Sequence, residues 1–189
     1  MKERDQTLID ECLAGRSEAF GELIQPYQDR LYNMLFRVVG REEDAAEYFQ
    51  EAMVRAFRAL RQYQGGSAFY TWLYRIAINV VFTDQRRRRP RATASNTSLL
   101  SYDLPDPNES NRPSAGIEVR EKRKLVQQAL ADIPESFRAI LVLKDIEGLR
   151  YEEIAEVLDI PIGTVRSRLH RARSEMRDRL KPMLERGSL

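Results

Sequence analysis

The chain has 189 residues, enough for one large domain or two small ones, and its 31 Lys and Arg against 29 Asp and Glu leave a formal net charge of +2. A single cysteine excludes an internal disulfide and a cysteine-cluster metal site, and a single histidine excludes a multi-histidine one, so no metal is expected. No run approaches the roughly twenty apolar residues that span a bilayer, and Met1-Lys-Glu-Arg-Asp5 lacks the apolar stretch of a signal peptide. The expectation is a cytoplasmic protein without membrane insertion.

Apolar residues recur at helical spacing and alternating strand patterns are absent, which predicts an all-α fold. A first helix is expected from about Thr7 to Ala14, stopped by Gly15, with Cys12 in an apolar pattern with Leu8, Ile9 and Leu13. A second begins near Ser17 and continues to Gly40, kinked or restarted at Pro26, whose ring removes a backbone donor and clashes with the preceding turn. The third, from about Glu42 to Gln62, carries a core stripe of Ala45, Phe49, Ala52, Met53, Ala56, Phe57 and Leu60. Opposite lie Glu43, Asp44, Glu47 and Glu51, with Val54 exposed among them. Glu42, Glu43 and Asp44 favourably oppose the helix dipole, a structural reason that does not extend to Glu47 and Glu51.

After a loop with Gly65 and Gly66, Ser67 is placed to cap a fourth helix, Ala68 to about Gln85. Phe69, Trp72, Leu73, Ile76, Ala77 and Val80 form one face of it. Tyr70, Tyr74, Ile78, Val81 and Phe82 leave the other side so apolar that it needs a cover, from its own domain or from a partner. From about Arg86 to Gly116 the pattern dissolves into arginine and then Ser, Thr, Asn, Asp and Pro, a linker too long to be a loop inside a compact domain. Helices resume from Val119 to about Ala131 and from Pro134 to Glu147, with Pro134 at a first helical position and Gly148 as the stop. The expected architecture is two small helical domains, residues 1–89 and 118–189, joined by a flexible linker over residues 90–117.

The segment from Tyr151 to Arg173 reads as two short helices around a tight turn, the layout of a helix-turn-helix. Ile154, Ala155 and Leu158 share one face, Asp159 to Pro161 supplies the break, and Val165, Leu169, Ala172 and Met176 restart the period until Pro182 ends the last helix. At about 100° per residue, the side opposite that stripe presents Arg166, Ser167, His170 and Arg171, with Thr164 at its edge. Any amphipathic helix has a solvated face, but here Arg166, Arg168, Arg171, Arg173, Arg177, Arg179 and Lys181 are opposed only by Glu175 and Asp178. That excess suits phosphate binding by counterion release. With one His, one Cys and no glycine-rich phosphate loop there is little from which to build an enzyme, so no catalytic residue and no cofactor are expected, although carboxylates alone could still form a site.

Three stretches, Asp44 to Met53, Ser67 to Asn79, and Gly148 to Ala155 followed by Pro161 to Arg173, together resemble the extracytoplasmic-function (group IV) sigma factors of bacterial RNA polymerase, and most closely the envelope-stress subgroup. The resemblance implies a stress-response transcription factor. Its N-terminal domain would be region 2, binding the β′ clamp helices of core polymerase and opening the -10 element. Its C-terminal domain would be region 4, reading the -35 element and touching the β flap, and the linker would thread near the catalytic cleft or RNA exit path. An anti-sigma factor is a further partner by resemblance. On this reading Asp44, Glu47, Gln50, Glu51 and Val54 dock on polymerase, and Thr164, Arg166, Ser167, His170 and Arg171 contact the -35 major groove. The loop Tyr63, Gln64, Gly65, Gly66, Ser67 and Ala68 with Asn79 would enclose one extruded base of the -10 strand. The chain departs from the pattern of the family it resembles in having Arg150 where serine is common and Ala46 where an acid is common, and Gln64 and Gly66 where the envelope-stress sigma factor of enteric bacteria has Arg and Asp. The competing reading is a stand-alone dimeric helix-turn-helix regulator, which would footprint a two-fold symmetric operator without polymerase.

Overall fold

The computed structural model describes residues 2–88 and 125–186. The expected linker over residues 90–117, Arg89 before it and the start of the helix expected at Val119 lie outside the described residues. Among the described residues every regular element is helical.

Helix α1 (Lys2–Leu13) begins five residues before the expected Thr7, its first turn holding Glu3 and Asp5 against the helix dipole. Gly15, at φ 110°, turns the chain into α2 (Glu18–Ile24). Pro26 then enforces a fresh start rather than a kink, and α3 (Gln28–Val39) ends on Gly40 in the left-handed conformation. Helix α4 (Glu42–Ala59) tightens into a single 3₁₀ turn, Leu60–Gln62.

The α4 core stripe differs from expectation at two places. Tyr48 is buried because its hydroxyl reaches across to α5 (Phe69–Arg88) and donates to Asp84 Oδ2 at 2.7 Å, whereas Phe57 stays exposed, its ring T-shaped against Phe20. The cap of α5 falls on Ala68, so Ser67 lies one residue outside it; the Ser67 carbonyl instead accepts the Tyr63 hydroxyl at 2.7 Å.

The C-terminal unit comprises α6 (residues 125–131), α7 (Glu135–Leu141), α8 (Tyr151–Leu158) and α9 (Ile162–Arg186). Pro134 is the N-cap of α7 rather than its first helical residue. Helix α9 runs through Pro182 instead of ending there. The carbonyl that Pro182 cannot serve belongs to exposed Asp178, which water can satisfy.

Helix α7 runs directly into a π-helical segment, Val142–Ile146, whose wide turn is closed by the Glu147 amide donating to the Val142 carbonyl at 2.9 Å. That turn places Glu147, its side chain only 4% exposed, against the N-terminal unit. There Glu147 Oε2 accepts Arg30 Nε at 2.7 Å and the Tyr74 hydroxyl at 2.8 Å, while the Glu147 carbonyl accepts Arg30 Nη2 at 2.6 Å. Tyr70 donates to Glu153 Oε1 at 2.6 Å, and Arg138 donates to the Val38 carbonyl at the end of α3. The apolar second face of α5 thus finds its cover: α8 packs along it, and Tyr74, Ile78 and Val81 are buried.

Candidate nucleic-acid and polymerase interfaces

Helices α8 and α9 meet at Asp159, which adopts φ 51° and ends α8 where the break was expected. The start of α8 shows how Arg150 replaces a capping serine. A guanidinium has no acceptor to offer the helix, so the cap comes from the other direction: Glu153 Oε2 accepts the Arg150 backbone N–H at 2.7 Å, one half of a capping box. Burial pushes the Glu153 carboxyl up, but the Tyr70 hydroxyl and the Arg150 amide and guanidinium outweigh it and hold it below its ordinary value.

On α9, Val165, Leu169 and Ala172 are buried and Met176 is half-buried, which turns Arg166, Ser167, His170 and Arg171 outward with Thr164 partly covered at the edge. Not all of the helix's basic charge is directed to solvent. Arg173 is bidentate to Asp145 at 2.5 and 3.1 Å, and Arg179 donates to the Asp132 carbonyl, so these two fasten α9 to the rest of its unit.

On α4, Glu47, Gln50, Glu51 and Val54 are exposed and Asp44 is partly covered. The acidic stripe has internal partners. Asp44 lies 3.7 Å from Arg41, and Glu51 accepts Arg55 Nε at 2.7 Å one turn on. Such exposed pairs contribute only about 0.3–0.5 kcal/mol each, too little to hold the face against a stronger partner. Val54, 45% exposed, sits with exposed Phe57 beside them.

The loop before α5 borders a cavity of about 90 Å³. Tyr63, Gly65, Ser67 and Phe69 line it from the loop side, and Asp5, Gln6 and Ile9 of α1 line it from the other. Tyr63 stacks edge-on with Phe69, with Trp72 behind, and its hydroxyl closes the loop onto Ser67. Gly65 stands at φ 71°, the left-handed region, so its hydrogen side chain is required by the backbone. Gln64 and Gly66 are exposed, and Ala68 is half-buried. Asn79 is also exposed. Ten residues along α5 from Phe69, it lies about 15 Å away at 1.5 Å per residue and outside the cavity lining.

The α1 residues in this cavity had no local signal in the sequence, because α1 reaches the loop only through packing. Buried Glu147 was likewise hidden: within its own helix it reads as an ordinary terminal acid.

Comparison with known proteins shows where this arrangement recurs. Residues 23–91 match the sigma-70 region 2 model and residues 123–176 the sigma-70 region 4 model. The chain is 35% identical over 184 residues to the ECF RNA polymerase sigma-E factor of Haemophilus influenzae, covering 95% of this chain and 97% of that one. It is 38% identical over 190 residues to the RNA polymerase sigma-H factor of Pseudomonas aeruginosa, covering 97% of each. The chain belongs to the ECF sigma factors. Among solved structures, the RpoE sigma factor of Bartonella quintana, in complex with the anti-sigma factor NepR, shares the fold with a TM-score of 0.69, at 20% identity over 86% of this chain and 96% of that one. CnrH in complex with the cytosolic domain of CnrY does so with a TM-score of 0.64, at 24% identity over 96% and 97%. As a sigma factor the protein binds core RNA polymerase and promoter DNA and directs promoter-specific initiation, a role without catalytic chemistry of its own. No described helix is long and apolar enough to cross a membrane.

Proposed function

We propose that this sigma factor divides promoter recognition between two surfaces, with α9 reading the -35 element in the major groove and the loop before α5 holding an extruded base of the -10 strand. The observation that carries the first half is the outward row Arg166, Ser167, His170 and Arg171 over a buried Val165, Leu169 and Ala172, with Thr164 beside it. A guanidinium there can bond guanine bidentately. Tyr63, Gln64, Gly65, Gly66, Ser67 and Ala68 would cradle the base, and Asn79, further along α5, would contact the same strand beyond it. Asp44, Glu47, Gln50 and Glu51 with Val54 form the polymerase face, meeting the β′ clamp helices, while the C-terminal unit meets the β flap. The work is cytoplasmic. The complex of RpoE with NepR supports an anti-sigma factor as a regulator here too.

The described state is a closed one. Elements named for positions -10 and -35 are about 25 base pairs apart, roughly 85 Å at 3.4 Å per pair. Here Tyr70, just past the loop, touches Glu153, one short helix before α9. The junction therefore parts when both elements are engaged. The test of the docking face is Glu47→Lys with Glu51→Lys, which should lower core polymerase binding with helicity retained. Wild-type capture by core polymerase would show the face to be merely solvated.

A further inference from the structure

The cavity beside the loop is built by α1 as well as by the loop, and its one charged group, Asp5, comes from α1. Asp5 is 8% exposed. One of its carboxylate oxygens, Oδ2, accepts the Tyr27 hydroxyl at 2.7 Å, which fixes the side chain's orientation. The residue lines the cavity, and a carboxylate has acceptor capacity beyond that one bond. An ordered water needs about 10–15 Å³, so about 90 Å³ has the scale of a planar ring with its substituents rather than of a single solvent molecule. The aromatic ring of Tyr63 offers the stacking surface such a ring uses.

We propose that Asp5 sets the base preference of the -10 pocket by accepting a hydrogen bond from the exocyclic amino group of the extruded base. The inference rests on the reading of the loop as a base pocket and adds to it a reader from the N-terminal helix. A carboxylate has only acceptors, so it favours a base edge that donates and opposes one that presents a carbonyl. Cytosine and uracil have the same ring size and differ on that edge, and they make the cleanest probe.

The experiment measures binding of single-stranded -10 oligonucleotides to the full chain assembled with core polymerase, with cytosine, uracil or an abasic site placed at each position in turn. The wild type should prefer cytosine over uracil by on the order of tenfold or more at one position, as for a hydrogen bond to a charged group. Asp5→Asn keeps the shape and can still accept from Tyr27, but the amide nitrogen it then turns to the base donates to a uracil carbonyl and cannot accept from a cytosine amino group, so the preference at that position should vanish or reverse. Tyr27→Phe, which releases the carboxylate from its fixed orientation, should reduce the same preference several-fold and serves if Asp5→Asn folds poorly. A cytosine preference unchanged in both variants would overturn the role of Asp5 while leaving the pocket standing. Binding indifferent to an abasic site at every position would overturn the pocket reading itself, and the inference with it.

Discussion

The recognition helix and the -10 loop are two nucleic-acid surfaces made in opposite ways. On α9 the reading groups lie on one face of one helix, and the buried Val165, Leu169 and Ala172 aim them outward. At the loop the cavity exists only because α1, from the far end of the unit, packs against Tyr63 and Phe69. A surface of the first kind tolerates rearrangement of its neighbours, since its geometry is that of a single helix. One of the second kind depends on tertiary packing and on a left-handed backbone conformation at Gly65 that disfavours any side chain. That difference requires the two surfaces to fail independently.

The largest effect is expected from Arg166→Ala combined with Arg171→Ala. Loss of a bidentate guanine contact costs about 1–3 kcal/mol, so initiation from promoters with a -35 element should fall by at least tenfold with core binding intact. A phosphate role would instead weaken all sequences alike and lower the salt slope by about one unit per contact. The junction fastens the two units in the closed state without belonging to either surface, and Glu147→Ala tests it. The Tyr74 hydroxyl would be left buried without its acceptor, at about 1–3 kcal/mol, a loss read as a lower urea midpoint with little change in either DNA contact once holoenzyme has formed.

Gly65→Ala forces a side chain into the left-handed region at about 1–2 kcal/mol, although no atom lies near its added Cβ. It should weaken single-strand binding several-fold and leave -35 binding unchanged. The smallest effect concerns Glu153, whose carboxyl is held below its ordinary value of 4.5. A depressed carboxyl contributes stability that is complete above the unfolded-state value and is lost as pH falls through the lower folded one. Acid should therefore loosen the start of α8 and its contact with Tyr70 below about pH 4.5, a change that Glu153→Gln should remove from a melting series.

Helix periodicity made α9 legible, with its break at Asp159 and its outward arginines, because both sides of that pattern are local. It also showed that one face of α5 needed a cover, but not that α8 supplies it, since the pairing of Tyr74 with Glu147 and Tyr70 with Glu153 joins distant parts of the chain. The exchange of Tyr48 for Phe57 in the α4 core has the same origin. Hydropathy favours the phenylalanine, while the tyrosine is buried by virtue of a polar partner on α5. The chemistry of Asn79 suits a base contact, but its place ten helical residues beyond Phe69, about 15 Å along α5, is a matter of element length that residue type does not show. Asp5 could not be read at all, because nothing in a first-turn acid announces the cavity it lines.

The most direct test sets two variants against two substrates. Full-length Arg166→Ala/Arg171→Ala and Gly65→Ala proteins, each assembled with core polymerase, are titrated with duplex -35 DNA and with single-stranded -10 DNA. Each variant should lose one substrate and keep the other at wild-type affinity, in opposite senses. Equal weakening of both substrates by either variant would contradict two separately built surfaces.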